Sequence, residues 1–191
     1  MQTVVNHLHR VLTDRYACCH AAVMGNTQVH VGVDLYAPAR VVLPRTPIEG
    51  VGADVTAVLV LEGRRYVVQE MRIIRQDNGE PITSELIRGI PVQGVVRHYV
   101  RDLIERRIDM PSTKGVTHYQ GGPVTLTEEE RSGLVAAGPT DETLLWVARI
   151  YILAELAGEP PAKTVRFGLG IPESTANSWI RRAKDRGILD G

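Results

Sequence analysis

Cysteine is nearly absent from this chain: Cys18 and Cys19 are the only two, and they are adjacent. Neighbouring cysteines rarely bridge each other, because the ring they close is strained, so a disulfide framework is excluded and reduced thiols are expected. Neither sign of charge is in excess. Lys plus Arg number 22 and Asp plus Glu number 22, so the chain is no basic nucleic-acid coat, and any charge that attracts a polyanion must be local. No apolar run approaches the ~20 residues that span a bilayer. The opening MQTVVNHLHRVLTDRY has no basic stretch followed by an apolar segment, and a cytoplasmic protein without a membrane partner is expected. There is also no internal repeat, phosphate-binding glycine loop, nucleophile elbow or paired-carboxylate motif, and the first serine is Ser84, which leaves a serine recombinase without an N-terminal nucleophile. No enzyme and no cofactor are expected. His7, His9, Cys18, Cys19 and His20 are the one cluster of potential metal ligands, but their spacing fits no common zinc pattern.

What is present is enough apolar residue, 43%, to bury a sizeable core over 191 residues. Between Thr27 and about Gln76 the chain alternates or runs in β-branched stretches: TQVHVGVDLYA, RVVL, DVTAVLVLEG and RRYVVQEMRII. Pro38, the stretch Pro44 to Gly52, Gly63 and Asp77-Asn78-Gly79 interrupt them, which suits an antiparallel meander. In the first, Val29, Val31, Val33 and Leu35 share one face, the pattern of a half-buried strand. The segment Gln2 to Tyr16 suits a helix as well as a strand.

Thr83 precedes a short helical turn. From Pro91, Val92, Val95, Val96, Tyr99, Val100, Leu103, Ile104 and Ile108 recur at helical spacing and predict a long helix covering the sheet. Arg97, Arg101, Arg106 and Arg107 lie on or near its polar side and read as solvated charges. The stretch 109–123, DMPSTKGVTHYQGGP, has no apolar period and reads as a linker.

A helical module is expected beyond it. Thr127 with Glu130 forms a capping box, Gly138-Pro139 ends that helix, and Thr140 caps the next, with Asp141 and Glu142 where the helix dipole favours negative charge. From Leu144 to Leu156 this second helix is apolar on more than one side and must be covered, by its own module or by a second copy.

The strongest local signal lies between Pro161 and Leu189, in PAKTVRFGLGIPESTANSWIRRAKDRGIL. Gly170 sits between two short helical patterns and Pro172 suits the opening of the second; a steep crossing of two helices needs a glycine turn and an apolar seam, here Val165, Leu169, Ile171, Ala176, Trp179 and Ile180. This spacing predicts a helix-turn-helix. Glu173, Ser174, Asn177, Ser178 and Arg181 then point away from the seam. Asn177 suits bidentate pairing with adenine and Arg181 with guanine, while Lys163, Arg182 and Lys184 suit phosphates. Within 161–191 six basic residues stand against three acidic ones, so the local charge favours a polyanion.

The stretch from Gly138 to Leu189 resembles the C-terminal module of a group of largely uncharacterised actinobacterial and actinophage-type proteins. The resemblance rests on Leu169-Gly170-Ile171, Ser174-Thr175-Ala176 and Trp179-Ile180 in that order, with ITSELIRGIP as a looser match upstream. It implies DNA binding and no settled biological role. Two positions depart from the usual motif: Arg166 stands where a small residue is common, and Glu173 where a basic or neutral one is. An Arg166–Glu173 pair would preserve the packing.

The expectation is an α+β chain: an antiparallel sheet with a covering helix in 1–108, serving dimerisation or sensing, a linker at 109–123, and an all-α helix-turn-helix module at 124–191. The function expected is sequence-specific binding of double-stranded DNA by a homodimeric transcriptional regulator or phage or mobile-element repressor. DNA-contacting residues are Lys163, Ser174, Asn177, Ser178, Arg181, Arg182 and Lys184. The alternative is a protein-interaction adaptor that docks through its helical end.

Overall fold

A computed structural model of the chain describes residues 27–48, 52–77, 79–108, 118–121 and 125–190. The opening segment and the His7, His9, Cys18, Cys19, His20 cluster lie outside these residues.

The described residues form a mixed α+β fold with two small antiparallel sheets and six helices. One sheet has the order β1-β2-β6-β7, from Gln28–Gly32 (β1), Leu35–Pro38 (β2), Glu105–Ile108 (β6) and His118–Gly121 (β7). The other is a meander, Arg40–Ile48 (β3), Ala53–Glu62 (β4) and Arg65–Arg75 (β5). In β4 the period-two pattern acts as expected: Ala53, Val55, Ala57 and Leu59 are buried, and the residues between them are half-exposed.

Three expectations are corrected. The single strand expected from Thr27 to Ala37 is a hairpin, β1 paired antiparallel with β2 across a tight turn. Val33 takes a left-handed φ of 47° at that turn. Alternation of Val29, Val31, Val33 and Leu35 concealed the reversal, because an apolar residue at a turn looks the same in sequence as one in a strand. Nor does the covering helix reach Ile108: it runs over Val92–Leu103 (α2), and Ile104 is already extended, with ψ 125°. The next four residues, ERRI, form β6 on the open edge of β2, where the Arg107 amide also donates to the Asp34 carbonyl at 2.8 Å. Helical spacing cannot register a neighbouring strand edge whose backbone groups need partners. The stretch read as a linker, finally, contains β7, paired along β6.

Helix α1 (Ser84–Gly89) is capped by Thr83 and buries no residue. Helix α2 does cover the meander sheet, burying Val95, Val96, Tyr99, Val100 and Leu103; its Tyr99 hydroxyl is hydrogen-bonded to the Thr46 hydroxyl of β3.

The helical part comprises Glu128–Ala137 (α3), Asp141–Leu156 (α4), Pro161–Leu169 (α5) and Glu173–Asp185 (α6). The Thr127–Glu130 capping box forms in both directions, and Thr140 caps α4 by accepting from the Thr143 amide. The apolar helix α4 is the hub: α3, α5 and α6 pack on it, and it also touches β1 and β5. Leu144, Val147, Ile152 and Leu156 are fully or almost fully buried in this way. Most of its apolar surface is therefore covered within one chain, with Leu145, Trp146, Tyr151 and Leu153 half-buried, and one contiguous core runs from the sheets through α2 into the helices.

Close approach and charge both fix α4 against the sheet. At Gly32 an added Cβ would stand 2.7 Å from the Ile152 Cδ1, and the φ of 132° there also disfavours any side chain, so glycine is required where helix meets strand. Arg149 of α4 pairs with Asp34 and Arg64 with Glu155 and Asp190, while Arg101 of α2 pairs with Glu159 beyond the end of α4.

Candidate nucleic-acid interface

The candidate surface is the helical pair α5–α6. Pro160 and Pro161 open α5, where a missing amide costs nothing, and Val165 and Leu169 turn inward against α4. The helix ends at Gly170, which takes φ 66°, ψ 30°. The Ile171 amide donates to the Arg166 carbonyl at 3.1 Å and the Gly170 amide to the Phe167 carbonyl at 3.3 Å. This is the two-bond closure of a left-handed helix end, and it needs a residue free of Cβ strain at Gly170. Ile171 is buried at the turn, and Pro172, extended at φ −59°, ψ 152°, starts α6 two residues after Gly170.

In α6 the buried residues are Ala176, Trp179, Ile180 and Ala183, spaced by three, one and three. At about 100° per residue these positions define one inward face. Opposite it, Ser174, Asn177 and Arg181 are exposed and Ser178 is half-buried, so four expected contact residues form one outward strip. Lys184 flanks the strip on one side and Arg182 on the other, both exposed. Lys184 leans toward the module, its Nζ 5.5 Å from the centre of the Tyr151 ring of α4. Lys163 is exposed on α5, outside this strip, with its Nζ 5.9 Å from the Phe167 ring centre.

The ion pairs sort the local charges. Arg166 and Glu173 meet at 3.5 Å, and Arg186 is held by Asp141 at the start of α4. Asp190 is drawn off by Arg64 of the sheet part at 3.4 Å. Among the described residues no carboxylate pairs with Lys163, Arg181, Arg182 or Lys184. Removing the paired charges leaves four cations against Asp185, so the surface carries a net positive charge.

Sequence reasoning passed over Phe167. It is the most exposed of the large apolar residues among the described ones, at 59%, and lies on α5 away from Val165 and Leu169. Its signal was available: an apolar residue out of step with the helical seam and flanked by Lys163 and Arg166.

No protein-family model matches the chain, and no solved structure matches its fold. No described helix is long and apolar enough to cross a membrane.

Proposed function

We propose that the chain is a sequence-specific, double-stranded DNA-binding protein in which α5, the Gly170 turn and α6 act as a helix-turn-helix. The observation that carries this is the division of α6 into two faces. One is locked into the core by Ala176, Trp179, Ile180 and Ala183; the other presents Ser174, Asn177, Ser178 and Arg181, with cations at its margins.

The mechanism follows from the chemistry of the groups. A helix fits the major groove, where an amide side chain can give and take two hydrogen bonds with adenine and a guanidinium can give two to guanine. Asn177 and Arg181 have those groups one helical turn apart on the outward strip. Lys163, Arg182 and Lys184 serve phosphates, which fix register without reading sequence. Trp179 is 7% exposed and belongs to the packing. The resemblance to actinobacterial and actinophage-type proteins, carried by Leu169-Gly170-Ile171, Ser174-Thr175-Ala176 and Trp179-Ile180, supports DNA binding; the role proposed with it is that of a transcriptional regulator or a phage or mobile-element repressor.

The working unit on DNA is taken to be a homodimer, because one such helix grips few phosphates and two-fold pairs read half-sites a helical turn apart. This rests on the demands of DNA, since most of the apolar surface of α4 is covered within one chain.

The test is selection of bound duplexes from a random-sequence library, followed by titration of a selected and a scrambled duplex at two salt concentrations. The proposal expects an enriched motif and an affinity that falls steeply with salt, by a slope of about 0.9 per phosphate contact. No enrichment, together with salt-insensitive capture of a protein, would favour the adaptor role.

A further inference from the structure

Resting on the DNA-binding reading above, we propose that Phe167 is a second, apolar DNA contact: its ring seats on a deoxyribose of the strand bordering the groove, while Lys163 holds an adjoining phosphate and Arg166 stays paired with Glu173. Three observations lead there. Phe167 is 59% exposed, yet it stands on a short helix whose other large apolar residues, Val165 and Leu169, are buried. Its ring has a cation on two approaches, the Lys163 Nζ at 5.9 Å and the Arg166 guanidinium at 5.1 Å from its centre. Arg166 also reaches the Glu173 carboxylate at 3.5 Å, so one side chain touches both Phe167 and the first turn of α6.

That last contact gives the position of the ring. The first turn of a groove-reading helix lies near the base edges and the adjoining backbone, and Phe167 is one side chain removed from it. A ring beside the free cation of Lys163 matches the backbone itself, in which an apolar sugar face alternates with charged phosphates. In free protein Lys163 lies over the ring; on DNA it turns to a phosphate oxygen and leaves that approach to the sugar. An exposed phenylalanine kept beside two long basic side chains is otherwise a liability for self-association.

Stacking on an open base is the rival geometry for an exposed aromatic, and it is commonest on single strands. On a paired duplex the proposed seat is the sugar at the border of the groove, away from the base edges that carry sequence. The contact therefore carries affinity without sequence preference.

The experiment uses the full chain with Phe167→Ala, Phe167→Leu and Lys163→Ala, titrated by fluorescence anisotropy against a selected duplex, a scrambled duplex and the matching single strand, at two salt concentrations. Phe167→Ala is expected to weaken both duplexes alike, by about tenfold for the lost apolar burial, with the salt slope unchanged. Phe167→Leu should recover most of that loss, since a sugar needs apolar area and no ring. Lys163→Ala should lower the slope by about one phosphate. Wild-type duplex affinity in Phe167→Ala overturns the proposal, and so does a loss confined to the single strand or a Leu variant as weak as Ala. A silent Phe167→Ala beside an Asn177→Ala variant that has lost discrimination would overturn this contact and leave the groove-reading role standing. Failure of the wild-type chain to bind any duplex would overturn both.

Discussion

Arg149 of α4 and Asp34 of the β1–β2 turn form a two-point ion pair: the Arg149 Nε donates to one Asp34 oxygen at 3.0 Å and its Nη2 to the other at 2.7 Å. The arginine is 8% exposed, and its guanidinium also lies 4.7 Å from the Trp146 ring centre. The pair bridges 115 residues of sequence and, with the Gly32–Ile152 contact, ties the helices to the sheet.

Breaking that pair should therefore loosen both parts together. Asp34→Ala leaves a buried guanidinium without its carboxylate and should cost about 3 kcal/mol, the loss expected when one partner of a buried pair is removed. Urea unfolding followed by tryptophan fluorescence and by far-UV circular dichroism should give one coincident transition, shifted to lower urea. Wild-type stability in Asp34→Ala would mean that the pair is not a tie.

Trp179 should prove structural. Packed at the crossing of α6 with α4 and α5, it leaves a large cavity when truncated, and Trp179→Ala should destabilise the chain by about 3–5 kcal/mol. Thermal melting decides this. An unchanged melting temperature combined with lost DNA affinity would put the wrong face of α6 inward.

On the outward strip, Asn177→Ala or Arg181→Ala should cost about 1–3 kcal/mol on a selected duplex and little on a scrambled one. Arg182→Ala and Lys184→Ala should weaken both duplexes and reduce the salt slope. Parallel titrations separate the two classes, and equal losses on both duplexes for all four variants would show that α6 does not read bases.

The capping box at the start of α3 predicts a pH dependence. The Thr127 amide donates to the Glu130 carboxylate at 2.8 Å, with the Thr127 hydroxyl donating as well, and these bonds hold that carboxyl below the usual range. A carboxyl whose pKa is depressed by folding adds stability above its unfolded value, near 4.3, and that stability is lost as pH falls through the lower folded value. Thr127→Ala removes the hydroxyl of the box and should move the Glu130 titration up toward the ordinary range, as measured by carbon-13 NMR of the side chain. An unmoved titration would show that the hydroxyl contributes nothing to holding the carboxylate.

Much of this protein was determined locally. The caps at Thr83, Thr127 and Thr140, the left-handed turn at Gly170, the alternation in β4 and the two-faced pattern of α6 each depend on residues within a turn or two of one another, and such signals survive in sequence because their physics is short-range. The Arg166–Glu173 pair belongs with them, since the two positions lie on either side of one short turn. What the tertiary structure decided was every choice between partners distant in sequence. Residues 105–108 could continue a helix by their spacing, and became a strand because β2 offered an edge whose amides and carbonyls needed bonding. Val33 could continue a strand, and became a turn where the chain reverses beside Asp34, the residue that pairs with Arg149. The apolar surface of α4 could have called for a second copy, and most of it was covered by α3, α5, α6 and two strands of its own chain. Backbone hydrogen bonds and buried area are indifferent to sequence separation, so local pattern can state that such a group needs a partner, and only the folded chain determines which one it gets.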